Sequence, residues 1–277
     1  MTSEAKNLFM LCASLQEEEE LNKLDRTQYK AQIKFDGERV MCLKQGDNII
    51  LFNRRGNVIT YKFKEVVEAF SKLEDDFLID GEVINIDETI GGNFNLLSRR
   101  ALTQKPEKIK LLEKEIPVKF MAFDILRLNT KNLMNEPLEV RFEYLQNVIT
   151  DDKEHLQLAK YEDINSCLKK VIEAKGEGIV IKNMKGSYES KRSKNCYKHK
   201  LFKETTINIT GFTDNNAGIR ATDELGNAVQ ISGSQSNEVK NLLEQNREVS
   251  ISVQYLTKSK EGRMRFPSYR GLANENI

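Results

Sequence analysis

Lys34-Phe35-Asp36-Gly37-Glu38-Arg39 sets a primary amine two residues before an Asp-Gly pair and five before a guanidinium. A lysine amine is a nucleophile only when neutral. With an ordinary pKa near 10.4, about one in a thousand is neutral at pH 7.4, so useful reactivity needs that value to fall by roughly two to three. Further along, Glu82 follows Asp80-Gly81, Glu177 stands between Gly176 and Gly178, and Lys198 and Lys200 lie near the end of a basic run. Cys12, Cys42, Cys167 and Cys196 have no metal-ligand spacing, and His155 and His199 do not complete such a site. Reduced structural thiols are expected, with neither zinc nor a disulfide framework. Lysine and carboxylate chemistry is what remains.

These groups need elements to position them. Apolar residues flank Lys34 (Ala31, Ile33, then Val40, Met41, Leu43), which predicts a hairpin turning at Asp36-Gly37 with Lys34 at its rim. Residues 8–24 read as a short helix or two, with the acidic run Glu17 to Glu20 as a solvated face. Gln28 to Thr60 has a period near two, with turns at Gly46-Asp47 and Gly56-Asn57, and 62–73 repeats at helical spacing. Phe77 to Ile84 predicts a second strand pair bent at Asp80-Gly81, with Glu82 on its rim. A helical stretch over 94–114 is interrupted at Pro106, and Val118 to Leu128 reads as a strand. Helices at 137–149 and 163–174 precede a strand opened by Glu177. After residue 204 come strand candidates at 205–212, 217–222, 227–232, 248–256 and 263–269, with a helix at 236–245 between the third and fourth. Five short strands with that helix fit a small OB-type barrel.

Hydrophobic content of 39% and charged content of 31% describe a folded chain rather than a disordered one. Neither a membrane-length apolar run nor a basic leader with a cleavage site is present, so an intracellular protein is expected. The net charge of +1 hides a segregation. Residues 182–203 carry eight basic groups against Glu189, and residues 257–270 carry five against Glu261. Segregated positive charge is the footprint of a polyanion-binding face.

The ordered set Lys34-Phe35-Asp36-Gly37-Glu38-Arg39, Asn53-Arg54-Arg55-Gly56, Asp80-Gly81-Glu82, Phe120-Met121-Ala122-Phe123-Asp124, Glu177-Gly178-Ile179-Val180-Ile181-Lys182 and Lys198-His199-Lys200 covers nearly the whole chain. In that order it resembles the ATP-dependent DNA ligases, within the lysine-dependent nucleotidyltransferases that include RNA ligases and mRNA capping enzymes. Arg265-Phe266-Pro267-Ser268-Tyr269 resembles the Arg-Phe-Pro element of DNA-ligase OB domains. The resemblance implies an α+β fold. A nucleotidyltransferase (ATP-grasp-like) domain of antiparallel sheets and helices over residues 1–203 is followed by a small all-β OB-fold domain over 204–277. No separate DNA-binding domain is expected before residue 28, and the likeness is to minimal two-domain ligases, including viral ones.

The implied chemistry has three steps: lysine attacks the α-phosphorus of ATP, AMP passes to a DNA 5′-phosphate, and the neighbouring 3′-hydroxyl displaces AMP. Lys34 would form the lysyl-AMP, and Arg39 and Arg54 would contact nucleotide or DNA phosphate. Glu82 would hold the ribose or a metal, and Glu177 the metal, with magnesium suited to hard oxygen ligands. Phe123 would stack on one face of adenine and Val180 on the other. Lys198, Lys200 and Arg39 would supply the cationic field and hold phosphate oxygens, while Asp36 fixes the turn. Gln32 stands where many relatives carry an acid, and its amide can both donate and accept at the adenine edge. The family's closing Arg-x-Asp-Lys is incomplete, leaving Arg270 to orient the departing pyrophosphate. ATP and Mg2+ are the expected cofactors, nicked duplex DNA the partner, and a monomer the expected form. The rivals are an RNA ligase of the same superfamily and a non-catalytic OB-type DNA-binding protein.

Overall fold

The structure, a computed structural model, describes residues 8–16, 18–87, 90–150, 154–245, 248–259 and 261–273. Glu17 of the acidic run and Lys260 of the second basic tract lie outside the described residues. The fold is mixed α/β and dominated by sheet, and the chain divides into two compact units, Met1–Lys200 and Leu201–Ile277.

In chain order, the first unit's strands are β1 (Leu11–Leu15), β2 (Tyr29–Ile33), β3 (Glu38–Gln45), β4 (Asn48–Asn53), β5 (Phe77–Asn85), β6 (Val118–Leu128), β7 (Lys131–Asn132), β8 (Leu156–Leu158), β9 (Gly178–Asn183) and β10 (Arg192–Lys200). They form two sheets. One runs β1-β10-β9-β2, with β1 parallel to β10 and the rest antiparallel. The other runs β4-β3-β5-β6-β7, with β8 added parallel to β6.

Alternation along β6 explains how the second sheet serves both core and cleft. Phe120 and Ala122 point into the main core, where Phe70 of helix Lys64–Ser71 meets Phe120 edge-on at 5.0 Å. Met121 and Phe123 point the other way, into a small cluster with Ile84 and Ala159. β3 is likewise buried on both faces, Val40 and Cys42 in the main core and Met41 beside Phe9 and Phe52. The helical reading of 94–114 holds as Phe94–Ala101 and Pro106–Glu115, with Pro106 opening the second helix, where its missing N–H goes unused.

Three local expectations are corrected. The Lys34 segment is not a hairpin, because β2 and β3 belong to different sheets and the chain crosses between them. The crossing is held by Lys34 N–H donating to Gly178 O and Asp36 N–H donating to Gly91 O, each at 2.9 Å. Asp80-Gly81 is not a turn but the middle of β5, a nine-residue strand. A Cβ at Gly81 would lie 2.1 Å from the Phe120 ring, so glycine serves close packing here. The segment after Leu8 is the strand β1 followed by one short helix, Glu18–Asn22, because β10 offers it a free edge.

The second unit contains β11 (Lys203–Ile209), β12 (Gly211–Asn215), β13 (Gly218–Thr222), β14 (Ala228–Ser232), β15 (Val249–Tyr255), β16 (Thr257–Lys258), β17 (Met264–Arg265) and β18 (Ser268–Leu272). Sheets β11-β15-β18 and β12-β13-β14 share an aliphatic core with Val239 of helix Ser234–Glu244. The basic run does not stop at the boundary between the units, since Lys203 pairs with Tyr255 inside the second. No helix among the described residues is long and apolar enough to cross a membrane.

Candidate active site

A cleft of about 270 Å³ opens between the two sheets of the first unit. Gln32, Lys34, Val180, Lys182, Cys196, Lys198 and Lys200 line it from one side; Arg39, Arg54, Glu82 and Phe123 line it from the other. The register explains the first wall. Gln32 and Lys198 both pair with Val180, and Cys196 pairs with Lys182, so alternate residues of three strands share one face.

Glu177 is the pivot. Its Oε2 lies 2.8 Å from Lys34 Nζ and its Oε1 lies 3.2 Å from Lys200 Nζ, so one nearly buried carboxylate holds two ammonium groups. Gly178 makes this possible. Its φ is +147°, and a Cβ there would sit 2.2 Å from the His199 carbonyl, so only glycine lets β9 start against Lys200. Asp36 accepts from the N–H of Phe94 at 3.2 Å, tying the Lys34 crossing to the start of helix Phe94–Ala101. Asp36 thus fixes the crossing rather than the hairpin turn expected of it.

Lys198 lines the same wall. Burial, then the neighbouring Lys200, Arg192, Lys34 and Arg54, hold its amine below the ordinary lysine value. Glu82 is pushed up to about 8 by burial, against the pull of Lys34 and Arg39. Arg39 is engaged within the protein. Its Nε and Nη2 donate to Asp80 at 3.1 and 2.6 Å, and its Nη1 donates to the Met10 carbonyl at 2.6 Å. The Tyr188 hydroxyl donates to the same Asp80 carboxylate at 2.7 Å. Phe123 is 8% exposed and presents its ring to the cleft.

Gln32 is buried, and its amide nitrogen donates to the Ala159 carbonyl. Arg54 lines the cleft, whereas the neighbouring Arg55 is exposed in the turn after β4. Arg270 lies on β18 of the second unit, 3.8 Å from Glu204. Sequence reasoning missed Met10, Cys12, Lys182, Arg192 and Cys196 as cleft residues. Lys182 is 5% exposed and burial brings it down to about 8, while its Nζ sits 4.3 Å from the Phe123 ring centre. Its place two residues after Val180 on a strand was the available signal.

The thiol expectation is overturned for one pair. Cys12 and Cys196 are joined by a disulfide, because β1 docks parallel to β10 and brings together residues 184 apart in sequence. Cys42 and Cys167 are free and buried.

Comparison with known proteins agrees with this geometry. Residues 9–200 match the family model of the ATP-dependent DNA ligase domain. A DNA ligase of Saccharolobus islandicus is 31% identical over 182 residues, covering 62% of this chain and 30% of that protein. The Saccharolobus solfataricus DNA ligase is 30% identical over the same length. This chain therefore spans about a third of the length of the curated relatives it matches. Mycobacterial DNA ligase D complexed with ATP and MES superposes with a TM-score of 0.62 at 17% identity, covering 98% of this chain and 96% of that one. A Lig E DNA ligase, described as DNA binding with a minimal scaffold, gives 0.67 at 17% identity, covering 96% and 99%. The fold is that of the DNA ligases. With the match spanning residues 9–200, more than half of its length, the chain belongs to the ATP-dependent DNA ligase family.

Proposed function

We propose that this chain is an ATP-dependent DNA ligase that seals 5′-phosphate/3′-hydroxyl nicks in duplex DNA. The observation that carries the reading is Glu177 bridging Lys34 and Lys200 at the end of a cleft faced by Phe123 and Val180. Lys34 is the nucleophile. Its ammonium is ion-paired with Glu177 at rest. Attack on the α-phosphorus forms lysyl-AMP and releases pyrophosphate. AMP then passes to the DNA 5′-phosphate, and the 3′-hydroxyl displaces it. Lys198, Lys200 and Arg54 hold phosphate oxygens in a site where their charges are only partly neutralised. Arg39, fixed by Asp80, frames the nucleotide beneath Phe123.

Adenine stacks between Phe123 and Val180. Because the Gln32 amide nitrogen is committed to Ala159, its oxygen is the atom offered to the exocyclic amine of adenine. A magnesium ion fits here. Glu82 lines the cleft and Glu177 pairs with its lining residues Lys34 and Lys200; these are the carboxylates that would hold the ion, which uses one or two carboxylates with substrate phosphates and water. When bound, it neutralises charge developing on the phosphoryl group. Residues 1–203 serve as the nucleotidyltransferase domain and 204–277 as the OB domain of an intracellular monomer. Lys191, Lys194 and the basic residues near Arg265 add sequence-independent contacts to DNA phosphates.

The test is sealing of a 5′-phosphorylated nick by the whole chain with ATP and magnesium, with nick binding measured across a salt series. Sealed DNA, and nick affinity that falls steeply with salt, are expected. Sealing of RNA nicks in preference to DNA would move the chain to the RNA-ligase branch. Absence of any AMP adduct would remove the enzyme assignment.

A further inference from the structure

The four cysteines fall into two chemical classes. Cys42 and Cys167 are buried, and burial pushes the first thiol well above its ordinary value and the second to about 12, which leaves both inert. Cys12 and Cys196 both line the cleft, with Lys182, Arg192 and Lys198 around them. Lys182 is the register partner of Cys196, and Arg192 Nη1 donates to the Cys12 carbonyl at 2.8 Å. Cys12 is half-buried and Cys196 buried, so solvent meets the bridge at Cys12, on the cleft side.

The bridge also sits where the backbone ladder shifts register. Cys12 pairs with Ser193 and the next residue, Ala13, pairs with Tyr197, so Lys194, Asn195 and Cys196 bulge out between them. The disulfide spans this interruption, with its Cα atoms 4.5 Å apart. Just before it, Met10 receives Arg39, and Leu11 N–H donates to Lys191 O at 2.9 Å. Just beyond it, His199 Nδ1 lies 3.3 Å from Leu15 O. β1 is thus a wall of the cleft whose pairing with β10 is interrupted by a bulge in β10 that the disulfide spans.

We propose that Cys12 and Cys196 are a thiol–disulfide exchange site in the wall of the nucleotide cleft, served by small-molecule disulfides and thiols of the glutathione class, and that the bridged form binds ATP more tightly. The nucleotide clause rests on the reading of the cleft given above. In the forward direction one protein thiolate attacks the small-molecule disulfide, forming a mixed disulfide and releasing one thiolate. The second protein thiolate then displaces the remaining small-molecule sulfur and closes the Cys12–Cys196 bond. Two electrons pass to the small-molecule disulfide, which leaves as two thiols carrying the two protons the protein gave up. Reduction runs the same steps in reverse and frees β1 at the bulge.

The experiment uses the whole chain equilibrated in glutathione buffers of graded oxidation, quenched in acid, alkylated with N-ethylmaleimide after unfolding and mapped by mass. Cys12 and Cys196 should lose reactivity together in one two-electron transition, while Cys42 and Cys167 stay free at every ratio. Alkylation of the reduced native chain should strike Cys12 and Cys196 and slow when ATP is present. Equilibrium dialysis of radiolabelled ATP without divalent cation should give a Kd about three- to tenfold weaker for the reduced chain. Cys12→Ser and Cys196→Ser should each erase that difference. Cys12 and Cys196 remaining alkylatable at all ratios would overturn the site. Equal ATP affinity of the bridged and reduced chains would overturn the nucleotide clause. Thiols that bridge in a chain that neither binds ATP nor takes AMP would instead bring down the ligase reading and, with it, that clause.

Discussion

The two walls of the cleft treat charge in opposite ways. On the β3–β5–β6 side two cations are matched: Arg39 holds Asp80, and Arg141 of helix Leu138–Val148 holds Asp124 at 2.7 Å, while Arg54 in the turn after β4 is the charge this side adds to the cleft. On the β2–β9–β10 side Lys34 and Lys200 share Glu177, and Lys198 and Arg192 add charge to the same space. Lys182 stands 3.7 Å from the Asp124 that Arg141 already holds. A wall whose charges cancel internally is complete without a ligand and acts as framework. A wall with surplus cations is completed by an anion, which makes it the binding surface.

The largest test of that contrast is the proposed nucleophile, Lys34. Lys34→Ala should reduce AMP transfer from α-labelled ATP by at least about a thousandfold, with native circular dichroism. Full labelling of the variant would move the chemistry to another lysine and dissolve the division between the walls. On the framework side, Asp124→Ala strips Arg141 and Lys182 of their carboxylate. Its unfolding free energy should fall by about 3–5 kcal/mol in a urea titration. A drop under about 1 kcal/mol would mean that wall is not held by its pairs. On the binding side, Lys200→Ala should slow self-adenylation by roughly 10–100-fold. Its urea stability should move by no more than about 0.5 kcal/mol. The reverse pattern, lost stability with an unchanged rate, would invert the comparison.

Much of this was legible in the sequence, and the failures share a cause. Helices showed through apolar spacing, as at Val66 and Phe70, because each buries one face along contiguous chain. Lys34, Gln32, Glu82, Phe123, Val180, Lys198 and Lys200 were each named, and the fold brings them to one cleft. What failed depended on pairing across long separations. Asp36-Gly37 reads locally as a hairpin turn, yet Gly178 and Gly91, both remote, decide that it is a crossing. Asp80-Gly81 reads as a bend, yet the Phe120 ring requires the glycine. Cys12 and Cys196 carry no spacing signal, since only the β1–β10 alignment makes them neighbours. Arg192 was visible as charge in a basic run, but its entry into the cleft follows from the same alignment.

The smallest effect is a pH dependence that the walls divide between them. Glu82 titrates near 4.5 in an unfolded chain and at about 8 in the fold, because burial disfavours its carboxylate. Between those values the folded state holds a proton that the unfolded state has released. Stability is therefore full below 4.5 and declines as pH rises through the window to about 8. Lys182 works in the opposite sense. Burial lowers it from 10.5 to about 8, so above 8 the unfolded chain keeps a proton the folded one has lost, and stability rises with pH up to 10.5. Glu82 keeps some solvent at the cleft, so its share should be about 1–2 kcal/mol rather than the full conversion of 1.36 kcal/mol for each pKa unit. Urea titrations from pH 4 to 10 on the native chain, Glu82→Gln and Lys182→Met separate the two. Glu82→Gln should flatten the descending limb alone, and Lys182→Met the ascending one. If both limbs survive in both variants, the charges that set stability lie away from the cleft, and the contrast between its walls concerns binding only.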